Sequence, residues 1–165
     1  MSKAKGIVIT AMMASLICVA TMIIKIPTSL GYINLGDCFV LLAGWVISPV
    51  YGFCAAAIGS ALADVFSGYT IYAPITFIVK GLMALVAFYG FKILKNRFGD
   101  LFSEIVGGTI AEILMIAGYF LFEGILYGFA ASAVNVPFNA IQGAFGLVLG
   151  IVLVKIFRKT NFFKQ

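Results

Sequence analysis

Asp37, Asp64, Lys80, Glu112 and Glu123 lie in stretches that are otherwise almost wholly apolar. Such residues can do two kinds of chemistry. A pair of carboxylates can serve as general acid and base, and carboxylates with a lysine can hold a polar ligand or one another. Glu112, Tyr119 and Glu123 are spaced i, i+7, i+11, so they share one helical face. Asn135, Asn139 and Gln142 are spaced i, i+4, i+7, and Thr76 and Lys80 are spaced i, i+4. Asn139 and Gln142 each donate and accept hydrogen bonds, which suits a heteroaromatic ligand. With Tyr69 and Tyr72 close by in sequence, these residues describe a polar and aromatic pocket. An intramembrane enzyme with Asp64 and Glu112 as acid and base is the competing reading. The absence of histidine and of any nucleophile–base motif argues against it. Cys18, Cys38 and Cys54 are widely spaced and form no C-x-x-C pattern. No metal site and no cofactor are expected.

The elements that position these residues must be membrane helices. The chain of 165 residues is 63% hydrophobic and 10% charged, with a mean hydropathy of +1.15, whereas a soluble domain carries about 25% charged residues. A spanning helix needs about 20 mainly apolar residues. The pattern gives one all-α membrane domain over residues 1–165, with helices at about 6–25, 35–48, 50–66, 74–92, 101–126 and 136–157. The basic start followed by a long apolar run reads as a retained first helix rather than a cleaved signal. Pro27, Ser29 and Gly31 mark a loop, Pro49 and Gly52 a tight turn, and Pro74 the first turn of helix 4. Residues 92–100 read as a loop, and 128–137 as a connection that is partly helical or dips back towards the membrane. Helix 2 is short for a roughly 30 Å core. Tilt, local thinning or an outer loop folded into the protein would make up the difference.

Basic residues set the orientation. Of eleven Lys and Arg, nine fall in three clusters: Lys3 and Lys5; Lys92, Lys95 and Arg97; and Lys155, Arg158, Lys159 and Lys164. Positive segments stay cytoplasmic. Both termini and the 92–100 segment are therefore expected inside, and the pocket is expected to open outward. The positive charge faces membrane lipid headgroups rather than nucleic acid.

A charge at membrane depth costs at least about 2.5 kcal/mol, so each has a cavity or a partner. Lys80 either contacts a ligand or pairs with Asp64 or Glu112. Asp37 either contacts ligand or caps helix 2. Tyr69 and Tyr72 either line the pocket or belong to an interfacial belt. A purely structural subunit would not need to bury this polar stripe. On helix 1, Ala11-x-x-x-Ser15 and Ala14-x-x-x-Cys18 have the spacing that lets another helix approach closely.

Several strings then carry a resemblance: Asn34-Leu-Gly-Asp37, Ser48-Pro-x-x-Gly52, Gly59-Ser-Ala-Leu-Ala-Asp64, Gly68-Tyr69, Tyr72-Ala-Pro74-x-Thr76-x-x-x-Lys80-Gly81, and Val-Pro137-x-Asn139-x-x-Gln142-Gly143. The chain resembles the substrate-binding S-components of energy-coupling factor (ECF) vitamin transporters, in the branch with riboflavin, hydroxymethylpyrimidine and vitamin B6-type members. The resemblance implies a six-helix subunit in a prokaryotic cell membrane that binds a small vitamin from outside. It implies as partners a transmembrane coupling protein and two cytoplasmic ATPases, since this sequence has no nucleotide-binding loop. A B6 vitamer or hydroxymethylpyrimidine is the expected substrate, with riboflavin or another precursor as the alternative. The expected substrate-binding residues are Asn34, Asp37, Asp64, Tyr69, Tyr72, Lys80, Glu112, Tyr119, Asn139 and Gln142. The family's Ala-x-x-x-Ala docking motif on helix 1 is matched best by Ala11-x-x-x-Ser15. Ala11, Ala14, Ser15 and Cys18 are the expected docking positions.

Overall fold

The computed structural model describes residues 3–159. Six helices follow in order: α1 (Lys3–Ile23), α2 (Gly36–Val46), α3 (Pro49–Phe66), α4 (Ala73–Phe98), α5 (Asp100–Tyr127) and α6 (Phe129–Lys159). Five of them are long and apolar enough to cross a membrane. Their outward faces carry exposed Ile, Val, Leu and Phe, among them Ile7, Val8, Ile93 and Ile125. That is the arrangement a hydrocarbon solvent requires, because it leaves polar groups to be satisfied inside the bundle.

The exception is α2. Its 11 residues rise only about 16 Å, half a hydrocarbon core. Val40, Leu41, Leu42 and Ala43 are fully buried, and the helix touches all five others. The others pack around it in the sequence α1–α3–α4–α5–α6. Chain folded inward makes up the missing height. The segment expected as a plain loop is a β-hairpin, with β1 (Lys25–Pro27) antiparallel to β2 (Tyr32–Asn34) and Ile26 opposite Ile33. Thr28 and Gly31 close its turn: the Thr28 N–H donates to the Gly31 carbonyl (2.9 Å), and the Gly31 N–H donates to Thr28 Oγ1 (3.1 Å).

Two more boundaries differ from expectation. The basic segment 92–100 is helical up to Phe98 and breaks only at Gly99, whose φ of 78° ends α4 and begins α5. Lysines and arginines are good helix formers, and they suit the negative end of the α4 dipole, so their charge marks a membrane boundary without unwinding the helix. The 128–137 connection shrinks to Gly128 (φ 91°), after which α6 begins with Pro137 in its interior. Pro137 lacks the N–H that would reach the Ala133 carbonyl. The turn remains helical because neighbouring groups in a bundle can satisfy a freed carbonyl.

Small residues set the helix spacing. A Cβ on Gly59 would come within 2.5 Å of the Ala14 carbonyl oxygen, and one on Gly90 within 2.8 Å of Gly107 Cα. These contacts draw α1 against α3 and α4 against α5. At the basic end, Arg158 bonds Asp100 (2.9 Å) and the buried Glu104, and Lys95 lies 3.6 Å from Asp100. The starts of α5 and the ends of α4 and α6 are thereby tied together.

Candidate functional site

At the hairpin end, the helices part around a cleft of about 390 Å³ including its mouth. Its walls come from the hairpin, the α3–α4 connection and helices α3 to α6. The hairpin gives Tyr32 and Asn34, α3 gives Asp64, and the α3–α4 connection gives Tyr69 and Tyr72. Thr76 comes from α4, Tyr119 and Glu123 from α5, and Asn135, Asn139 and Gln142 from α6. The helical spacings explain the convergence. Each polar stripe occupies one face of its helix, and the apolar faces turn to lipid.

Four tyrosines form an aromatic wall. Tyr32 and Tyr69 have ring centroids 4.8 Å apart, Tyr69 and Tyr72 6.4 Å, and Tyr72 and Tyr119 6.5 Å. Most of their hydroxyls are committed within the protein. Tyr32 donates to Asp64 Oδ1 (2.6 Å) and Tyr72 to the Leu30 carbonyl (2.6 Å), while Tyr119 shares a bond with Thr76 (3.0 Å). Burial, reinforced by the Asp64 carboxylate, pushes the Tyr32 phenol far above its ordinary value and keeps it a neutral donor. Three of the four rings are therefore held at the hydroxyl as well as at the backbone, as a stacking surface needs.

Beneath the cleft lies a buried ion pair. Lys80 bonds Asp37, and both side chains are almost wholly enclosed. Lys80 does not line the cleft, and its partner is Asp37 rather than Asp64 or Glu112. Its Nζ sits 5.6 Å from the centroid of the Tyr119 ring, which does line the cleft. Gln142 joins the two levels: its Nε2 donates to Asp37 Oδ2 (2.7 Å), and its Oε1 accepts from the Asn34 backbone N–H (2.9 Å) and from Asn34 Nδ2 (3.2 Å).

Of the ten residues singled out as substrate-binding from sequence, seven meet at the cleft: Asn34, Asp64, Tyr69, Tyr72, Tyr119, Asn139 and Gln142. Asp37 and Lys80 lie beneath it and do not line it. Glu112 does not line the cleft; its carboxylate sits against Gly143 and Gly146 of α6, where Gly146 also packs on Asp37, and it borders an apolar groove between α5 and α6. Tyr32 was missed, although two short β-prone pieces flanking Thr28–Gly31 are a hairpin signal. Glu123 and Asn135 carried a signal in their helical spacing, and they are bonded to each other, Asn135 Nδ2 donating to Glu123 Oε1 at 2.7 Å.

On α1, the four expected docking positions divide between two faces. Ala14 and Cys18 are buried, and Ala14 packs on Gly59 of α3. Their spacing serves the bundle itself. Ala11 and Ser15 lie on the exposed face, where Ser15 Oγ donates to the Ala11 carbonyl (2.9 Å).

Among the described residues, no group of three or more Cys, Asp or Glu side chains is placed to hold a metal ion. The cleft presents aromatic faces and polar atoms, an arrangement that can receive a small molecule. A family model described as ECF-type riboflavin transporter, S component, matches residues 1–159. A Pyrococcus woesei chain described as an uncharacterized protein in gap 3'region is 32% identical over 143 residues, covering 86% of this chain and 93% of that one. The solved structure described as "Structure and mechanism of the S component of a bacterial ECF transporter" matches with a TM-score of 0.76 at 25% identity, covering 99% of this chain and 100% of that chain. The chain belongs to the ECF-type S-component family that this model describes, and is a membrane-embedded substrate-binding subunit of a transporter rather than an enzyme.

Proposed function

We propose that this chain captures a one-ring water-soluble vitamin or precursor, a B6 vitamer or hydroxymethylpyrimidine, on the outer side of a prokaryotic cell membrane. The observation that carries this reading is the cleft itself. Four tyrosine rings and the carboxamides of Asn139 and Gln142 converge around one small cleft. Aromatic faces suit a flat ring, and carboxamides suit ring nitrogens and hydroxyls. Riboflavin is the second reading, supported by the description of the matching family model.

In this reading the hairpin end faces outward, because the basic clusters gather at the opposite end of the bundle. A transmembrane coupling protein docks on the exposed Ala11–Ser15 face of α1, and two cytoplasmic ATPases supply the energy. Mass spectrometry of the small molecule extracted from purified protein tests the substrate, followed by titration calorimetry with pyridoxine, hydroxymethylpyrimidine and riboflavin. Tight binding of a one-ring compound is expected. Binding of riboflavin alone selects the second reading, and the absence of any bound or binding vitamin overturns both.

A further inference from the structure

Three atoms in the wall of the cleft are buried and have no hydrogen-bond partner: Asp64 Oδ2, Glu123 Oε2 and Asn135 Oδ1. The three residues are 5%, 2% and 3% exposed. All three are acceptors when the two carboxyls are ionised. The other polar atom of each residue is already engaged: Tyr32 holds Asp64 Oδ1, Asn135 holds Glu123 Oε1, and Asn135 Nδ2 is the donor in that second bond. Among the described residues no lysine or arginine lines the cleft; Lys25 Nζ lies 5.7 Å from the Tyr32 ring, and the buried Lys80 is bound to Asp37 below the cleft. Buried acceptors without donors are costly, and a ligand that brings donors removes that cost.

We infer that this cleft reads its ligand as a hydrogen-bond donor, with Asp64, Glu123 and Asn135 accepting from its hydroxyl, amino or ammonium groups and the two carboxylates excluding anionic forms. The inference rests on the vitamin-binding reading above and narrows it. The substrate is a neutral or cationic, donor-rich ring compound, and a phosphate ester of the same compound is rejected. Glu123 and Asn135 become specificity-determining residues beside the tyrosine wall. Asn135 acts in two ways, accepting from ligand through Oδ1 and holding the Glu123 carboxylate in place through Nδ2.

The test is titration calorimetry on the purified full chain with three pairs of compounds. These are pyridoxine, hydroxymethylpyrimidine and riboflavin, each beside its monophosphate. Whichever free compound binds, its phosphate is expected to bind at least about a hundredfold more weakly, the scale of a like-charge juxtaposition in an interface. Glu123→Gln and Asp64→Asn keep size and remove a negative charge. At least one of them is expected to narrow that gap by about tenfold. Equal binding of a phosphate and its parent in the unaltered protein overturns the inference and leaves the vitamin reading standing. A gap unchanged in both folded variants also overturns it. Binding of none of the six compounds overturns the vitamin reading, and the inference falls with it.

Discussion

Gln142 of α6 donates to Asp37 of α2 across 2.7 Å while its carbonyl oxygen holds the backbone and side chain of Asn34. One side chain thus fastens the hairpin above to the buried ion pair below. The bond to Asp37 also fixes which end of the carboxamide points where, since a carboxylate only accepts. A ligand that meets Gln142 in the cleft meets a group whose orientation is already set, so little ordering cost remains on binding.

Lys80→Met leaves Asp37 charged, buried and unpaired. Loss of about 3–5 kcal/mol of stability is expected, and the double variant Asp37→Leu with Lys80→Met recovers much of it, because removing both charges removes the desolvation cost. Thermal unfolding in detergent measures this. Lys80 does not line the cleft, so calorimetry on the surviving folded Lys80→Met protein should give an affinity close to that of the parent. A large loss of affinity in folded protein would mean that the ammonium reaches the ligand.

Asn139 behaves in the opposite way. It lines the cleft, is only half-buried, and is not tied to the network beneath. Asn139→Leu keeps the approximate size and removes a donor and an acceptor. Affinity should fall by about 1–3 kcal/mol, roughly tenfold to a hundredfold, with little change in melting temperature. Unchanged affinity would take Asn139 out of the site.

Helix 1 provides a paired test of docking. Ser15→Trp adds bulk on an exposed face and should leave folding and ligand binding intact while impairing assembly with the coupling protein. Ala14→Trp adds the same bulk where Gly59 allows backbone contact and should prevent stable folding instead. Co-purification of the coupling protein, with melting curves for each variant, separates the two outcomes. Full assembly by Ser15→Trp would move the docking surface elsewhere.

Orientation is open to direct labelling. Single cysteines introduced at Asn96 and at Thr70, in a background without the native cysteines, should react from the cytoplasmic and the external side respectively. A membrane-impermeant maleimide on intact cells followed by permeabilised cells measures this. External labelling at Asn96 would invert the topology that the basic clusters imply.

The helices and the polar stripes were legible in the sequence because a bilayer leaves few ways to arrange them. A backbone in hydrocarbon must be helical, and charges there must turn inward. The i, i+4, i+7 run from Asn135 to Gln142 shows its face without any tertiary information. What stayed hidden depended on contacts between distant segments. Lys80 could have met any of several carboxylates. Asp37 is its partner because the short α2 is drawn into the centre of the bundle, where α4 and α6 both reach it. The four-residue turn that folds Tyr32 and Asn34 over the cleft is set by local chemistry at Thr28 and Gly31, whereas the seating of Asn34 on Gln142 joins segments more than a hundred residues apart. Pro137 misled in the other direction. As a helix breaker it suggested a start near residue 136, but the bundle accommodates it within α6.

The single-glycine joints at Gly99 and Gly128 have a consequence for how this gene can change. Each turns one long helix directly into the next, so neither offers slack to absorb a change in length. One residue inserted between Gly128 and Asn135 would rotate everything beyond it by about 100°. Asn135, Asn139 and Gln142 would then point into lipid, and apolar side chains would point at the tyrosines. Insertions and deletions in the last three helices should therefore be almost entirely purged. Length variation among related genes should gather instead in the hairpin turn at 28–31 and at the two ends of the chain.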